Sequence, residues 1–236
     1  MPSDGYTQFC PVAKASEMLE PRWTMLVLSE LWSGSTRFNE VRRGLPGLSP
    51  TLLSKRLKDM EASGLVVRTA GSSGGAGGMA GSAGEVSYRT TPLADELRPI
   101  VQALGQWAHR NVDVAVSLRK LDARVLMWNM RRRVDRASLP RDRRSVIQFT
   151  YPELPEAERH YWLVAAPGGV VDLCLTDPGF DVDLTVIADL YVMTSAWMGH
   201  SSLRTEIAHE RITLVGDRRL ASTISAWMVR SSFAAA

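Results

Sequence analysis

The stretch Leu48-Ser49-Pro50-Thr51-Leu52-Leu53-Ser54-Lys55-Arg56-Leu57-Lys58-Asp59-Met60-Glu61-Ala62-Ser63-Gly64 decides the fold of the N-terminal half. Ser49 is an N-cap residue, Pro50 suits the first helical position, and Gly64 is a helix stop. The helix predicted over 49–63 has two unlike faces. With Leu53 as the reference direction and about 100° per residue, Leu57 and Met60 fall within about 40° of it. Thr51, Lys55, Lys58 and Ala62 fall on the opposite side, with Ser54 on the flank. The inner face is apolar; the outer face is small, hydroxylic and basic.

On either side, Val12, Ala15, Met18 and Leu19 recur at helical spacing, as do Trp23, Leu26, Val27, Glu30 and Leu31 after Pro21. Phe38, Val41 and Leu45 make a short turn of helix before the stretch above. After it, 65–69 reads as a strand and 85–90 as its partner, around residues 71–84, which hold seven glycines and no charge and so read as a flexible loop. Thr91-Pro92 starts another helix, whose apolar stripe runs Leu93, Leu97, Val101, Leu104, Ala108, Val112, Ala115; Pro99 should bend it rather than end it. Helices followed by a two-stranded wing form a winged helix-turn-helix, in which the second helix of the pair enters the DNA major groove.

Charge agrees. Residues 37–68 carry seven basic side chains against three acidic ones, an excess able to face a polyanion. Thr51, Ser54, Lys55 and Lys58 can reach base edges and phosphates. Arg56, nearer the apolar edge, either clamps a phosphate or closes an internal salt bridge. Ser49, Arg37, and Arg68 and Arg89 at the wing base complete the candidate DNA-binding set.

Several of these segments resemble HxlR-type winged-helix regulators: Cys10-Pro11-Val12, Arg22-Trp23-Thr24, Arg37-Phe38, Gly47-Leu48-Ser49-Pro50, Leu53-Ser54-Lys55-Arg56-Leu57, Glu61-Ala62-Ser63-Gly64-Leu65 and Tyr88-Arg89-Thr90-Thr91-Pro92. The resemblance covers roughly residues 9–110. It implies a bacterial transcription factor that binds a pseudo-palindromic DNA operator as a homodimer, with helices 11–19 and 92–118 at the dimer interface and Trp107 as an interface or core anchor. Family wings offer polar or basic residues to the minor groove; the 70–84 tip has no basic residue and only three serines among its glycines and alanines, so it should contribute little readout. Cys10 stands before Pro11 at a helix start, a setting where thiols become reactive. The resemblance implies redox or electrophile sensing there, and packing as a small apolar side chain is the alternative. Cys174, in an apolar strand, should be inert.

From about Leu121 the texture changes, which predicts domains at 1–120 and 121–236. A helix over 123–134 is followed by strands at 145–151, 160–166, 169–176 and 182–187, a helix at 188–198, a strand at 210–215 and a closing helix at 217–229. Strands mixed with helices and no βαβ repeat indicate α+β. Asp181-Val182-Asp183-Leu184-Thr185-Val186, Ala188-Asp189-Leu190 and Glu210–Asp217 resemble the C-terminal half of a sterol carrier protein-like domain. That resemblance implies an α/β sandwich with an apolar tunnel for a lipid-like molecule. Trp128, Trp162, Met193, Trp197, Met198 and Trp227 are candidates to line a pocket for a small hydrophobic or aromatic effector, because Met adapts to irregular apolar shapes and Trp adds area with one polar handle. Filling the core is the alternative for each.

The remaining composition sets limits. The chain has 236 residues, 45% hydrophobic and 22% charged, with a net charge of +3, ordinary values for a globular protein. It lacks a long apolar run or a secretory start, and its two cysteines make no disulfide framework, so a cytoplasmic protein without a membrane partner is expected. The four histidines have no metal-site spacing and the glycine run no P-loop ending, so neither metal nor cofactor is implied. Asp189, His200 and Ser201-Ser202 can be drawn as a triad on paper, but no catalytic residue is expected.

Overall fold

The computed structural model describes residues 9–70 and 86–234. The chain divides into two compact units, 1–105 and 106–236. The division falls inside a helix, ahead of the 120/121 boundary expected from the change of texture.

The first unit opens with α1 (Pro11–Leu19), α2 (Thr24–Trp32), α3 (Phe38–Gly44) and α4 (Pro50–Ala62). The wing strands β1 (Val66–Ala70) and β2 (Val86–Thr90) pair antiparallel, Arg68 opposite Tyr88. α5 (Pro92–Asn111) follows and runs through Pro99. The wing tip, for which a flexible loop is expected, lies outside the described residues. The core gathers Val27, Leu28 and Leu31 from α2, Val41 from α3, Leu53, Leu57 and Met60 from α4, and Leu65 and Val66 at the wing base. Truncating one such Leu to Ala costs about 2–5 kcal/mol.

Polar contacts fix the wing to the helices. The Tyr88 amide donates to the Thr36 carbonyl at 2.7 Å, and Arg37 bridges to Ser87. Thr91 Oγ1 donates to the Gly64 carbonyl at 2.7 Å and accepts from the Ala94 amide at 3.2 Å, so one hydroxyl caps α5 and ties it to the end of α4. Gly64 takes φ +74, the left-handed stop expected of it.

The stripe predicted through residue 115 is interrupted. Asp113 accepts the Ala115 amide at 2.7 Å and starts a separate short helix, α6 (Val114–Ser117). An aspartate that offers its carboxylate to nearby amides competes with helix continuation.

The second unit holds α7 (Ala123–Arg132), β3 (Ser145–Thr150), β4 (His160–Ala165), β5 (Val171–Cys174), β6 (Leu184–Ala188), α8 (Leu190–Met198), α9 (Leu203–Ala208), β7 (Ile212–Gly216), α10 (Arg218–Ser222) and α11 (Ile224–Trp227). The sheet order is β5-β4-β3-β6-β7; β3 and β6 are parallel and the other pairs antiparallel. The unit is α+β, as the sequence indicates. The closing helix predicted over 217–229 is two short helices broken at Thr223, whose hydroxyl donates to the Arg219 carbonyl at 2.8 Å.

Side chains alternate across the sheet. Ile147, Phe149, Leu163, Leu184, Val186 and Ile212 join Met127, Met193, Trp197 and Trp227 from the helices in one core. Val146, Trp162 and Val164 form a separate cluster, as neighbours in sequence to Ile147 and Leu163 must when successive Cβ atoms face opposite ways.

Candidate DNA interface

α4 positions the candidate site. Ser49 Oγ accepts the Leu52 amide at 3.3 Å, which places Ser49 as the cap of this helix. Leu53, Leu57 and Met60 are buried beneath it, while Thr51, Ser54, Lys55, Lys58 and Ala62 are exposed. The two faces derived from helical spacing are therefore the two faces of the folded helix.

The charges on that helix differ in availability. Lys55 Nζ lies 3.0 Å from Asp59 Oδ2, and its side chain is still 68% exposed. Arg56 Nη1 lies 3.4 Å from the same oxygen, with only 12% of its side chain exposed. Of the two readings of Arg56, the internal salt bridge is the one formed. Its Nε is enclosed without a partner among the described residues. Lys58 makes no ion pair among the described residues and stands exposed. Arg37, at the N-cap of α3, and Arg68 and Arg89, on the two wing strands opposite Tyr88 and Val67, are exposed too. Arg42, in the last turn of α3, is exposed beside the turn into α4; the basic excess counted it, but helix periodicity gave no reason to select it.

The backbone leading into this site is tightly constrained. Trp23 precedes α2 at φ +84, an uncommon value for a non-glycine residue. A Cβ on Gly47 would meet its ring at 3.2 Å, and one on Gly44 would fall 2.1 Å from the buried Glu30 carboxyl carbon. Glu30 in turn accepts a hydrogen bond from Ser35 at 3.0 Å.

This helix-turn-helix and wing match a known pattern: the HxlR-like helix-turn-helix profile covers residues 18–116. A transcriptional regulator of Bacillus subtilis, YvaP, is 32% identical over 108 residues, which are 45% of this chain and 93% of YvaP. This chain belongs to the HxlR family. A second B. subtilis regulator, YkvN, is 33% identical over 98 residues, 42% of this chain and 76% of YkvN. The solved structure of the redox regulator HypR in its reduced form shares 28% identity, with a TM-score of 0.39, over 46% of this chain and 99% of HypR. HxlR relatives are helix-turn-helix transcriptional regulators, a DNA-binding and non-enzymatic class. Among the described residues no helix is long and apolar enough to cross a membrane.

The HxlR match stops at the first half, and the second unit redistributes the six residues expected to line a pocket. Met193, Trp197 and Trp227 sit in the core between sheet and helices, with Met198 packed against it. Their polar handles are satisfied: Trp227 Nε1 donates to the Leu220 carbonyl at 2.9 Å and Trp197 Nε1 to the Val229 carbonyl at 3.2 Å. Trp162 lies in the cluster on the other sheet face. Trp128 is buried under the guanidinium groups of Arg131 and Arg132, 3.8 and 4.9 Å from its ring centroid. The six are thus not gathered round one cavity, because β4 turns Trp162 away from the helices.

The paper triad does not assemble. Asp189 caps α8 through the Tyr191 amide at 2.8 Å, and Ser202 caps α9 through the Thr205 amide at 3.0 Å. His200 stacks on His109 with ring centroids 4.6 Å apart, and burial, then the charge of His109, hold its pKa below the ordinary imidazole value. Cys10 is exposed at the N-cap of α1. Burial, then the charge of Asp172, pushes the Cys174 thiol up, away from thiolate chemistry.

Proposed function

We propose that this HxlR-family chain acts in the cytoplasm as a homodimer that binds a pseudo-palindromic operator through α4. The carrying observation is the division of that helix into a buried Leu53-Leu57-Met60 face and an exposed face bearing Thr51, Ser54, Lys55 and Lys58. Arg37, Arg68 and Arg89 flank it and would hold phosphates, fixing register while α4 reads base edges. Dimerisation is supported by the apolar side chains that α1 and α5 leave exposed, Val12, Met18, Leu93, Ile100, Leu104 and Trp107 among them.

The test is selection of retained fragments from random-sequence DNA at near-physiological salt. An inverted repeat with half-sites about 34 Å apart is expected. Binding that is salt-sensitive and blind to sequence would overturn the reading.

The second unit, in this proposal, is a sterol carrier-like domain that takes a small hydrophobic effector between its sheet and helices. The resemblance of its 181–217 segment supports this. An effector with unequal affinity for two arrangements of the recognition helices would shift operator occupancy; one with equal affinity would not. Titration with long-chain fatty acids, read by tryptophan fluorescence and operator binding together, tests it. No change in either signal removes the effector role.

A second reading rests on the exposure of Cys10 at the start of α1. If oxidation of Cys10 is the signal, Cys10→Ser holds operator affinity constant under diamide while the parent protein changes. An equal response in both excludes it.

A further inference from the structure

The second unit carries a concentration of charge that the DNA interface does not use. Residues 131–144 hold seven arginines and two aspartates. Five of those arginines are engaged away from the cleft that the other two line. Arg131 and Arg132 lie over Trp128, and Arg133 Nε donates to the Arg230 carbonyl. Arg143 spans Asp183 and Asp217, and Arg144 covers the Phe180 ring. The other two, Arg136 and Arg141, line one surface cleft of about 400 Å³ together with Ala137, Gly168 and Gly169.

Arg136 is fixed there by the protein. Its Nη2 donates to the Ala166 carbonyl at 2.6 Å, which sets the plane of the guanidinium. Its Nη1 is enclosed and has no partner among the described residues. A buried cationic N–H without an acceptor is costly, and in a native protein it calls for a bound ion or water. The nearby carboxylate, Asp135, is already committed: it accepts the Ala137 amide at 2.9 Å and the Ser138 hydroxyl at 2.6 Å, and Arg141 is among the charges acting on it. The β4–β5 turn also lines the cleft. There Gly168 takes φ +67, and nothing lies within 4 Å of where its Cβ would stand. Two arginines, one alanine and two glycines line a space that is cationic and larger than a single ion needs.

We infer that this cleft binds the oxyanion group, phosphate or carboxylate, of a small molecule, with Arg136 and Arg141 as its two cations. A guanidinium fork suits either group, since both present paired oxygens to parallel N–H bonds. This inference is independent of the DNA-binding reading and of the apolar effector.

The experiment is calorimetric titration of the full chain, at constant ionic strength, with inorganic phosphate, phenyl phosphate and benzoate. Saturable binding of one molecule per chain is expected for at least one probe. A preference for phenyl phosphate over benzoate identifies a phosphoryl ligand, and the reverse a carboxylate. Arg141→Gln, at an exposed position, should weaken that binding at least tenfold, and Arg136→Lys should do so by removing the fork while keeping the charge. Lys58→Ala should bind the probe as the parent does. The inference falls if no probe saturates, or if Arg141→Gln keeps the parent affinity. It also falls if Arg141→Gln weakens DNA binding alone, which would assign these arginines to the DNA backbone.

Discussion

In the proposed complex, Asp59 governs how much of the positive charge on α4 a DNA phosphate would meet. It holds Lys55 at 3.0 Å and Arg56 at 3.4 Å through one oxygen. An exposed pair of this kind contributes about 0–1 kcal/mol to stability, so its larger effect is on binding. Lys58→Ala should therefore weaken operator binding and reduce its salt slope by about 1, the share of one phosphate contact. Lys55→Ala should cost less, because its charge is already shared with Asp59. Asp59→Asn should raise affinity several-fold by releasing Lys55. Fluorescence anisotropy across a salt series reads all three; unchanged affinity and slope in every variant would remove α4 from the interface. The outward direction of Lys55 and Lys58 was legible in the sequence because a helix repeats every 3.6 residues. The Asp59 pairing was not, since periodicity names a face but not the rotamers that meet on it.

At the scale of elements, two close approaches carry predictions. A Cβ on Gly216, at φ +128, would fall 2.3 Å from the Asp183 carbonyl oxygen, where the turn after β7 meets the start of β6. Backbone cannot yield as a flexible side chain can, so Gly216→Ala should destabilise the second unit by about 2–4 kcal/mol, seen as a lowered denaturant midpoint. The same corner gives a pH dependence. Asp217 is held below the ordinary carboxylate range first by the Leu220 amide, then by the Arg219 amide and the charge of Arg143. Glu206 is lowered chiefly by its hydrogen bond from Arg211, and Asp135 by the Ser138 hydroxyl. Groups whose folded pKa is depressed bind fewer protons folded than unfolded. Their contribution is complete above the unfolded values and is lost as pH falls through the folded ones. Melting temperature should be level above roughly pH 5 and fall below it, with a shallower fall in Asp217→Asn. A melting temperature independent of pH down to the unfolding limit would contradict this. The elements themselves were mostly legible, since alternation along 184–188 marks a strand buried on one face and the apolar run along 145–150 one buried on both. The breaks at Asp113 and Thr223 were not, because each depends on one side chain competing for backbone groups that hydrophobic pattern ignores.

For the molecule as a whole, the sequence sorted apolar from polar faces but left open which apolar faces the chain covers itself. Trp227 and Met193 are buried within their own unit, so their enrichment reflects a core first of all. Trp107 went the other way: it is 54% exposed in the single chain, so it is not a core anchor, and the interface role stands as a proposal. Leu93, Ile100, Leu104 and Trp107 are spaced seven, four and three residues apart, so they share one side of α5. A stripe of large apolar side chains is a poor surface for a monomer, and each Leu-sized group covered by a partner is worth about 1.5–3 kcal/mol. A charge in the stripe would be buried unpaired in a dimer yet remain solvated in a monomer, so it acts on association and spares the fold. Ile100→Asp and Trp107→Glu should therefore sediment as monomers with parent-like circular dichroism. Both should bind a single half-site about as well as the parent and lose affinity for the full inverted repeat by ten-fold or more, because two recognition helices would no longer be held at half-site spacing. If both variants sediment as the parent does, α5 is not the dimer interface, and the spacing of the two copies of α4 must be set by another surface.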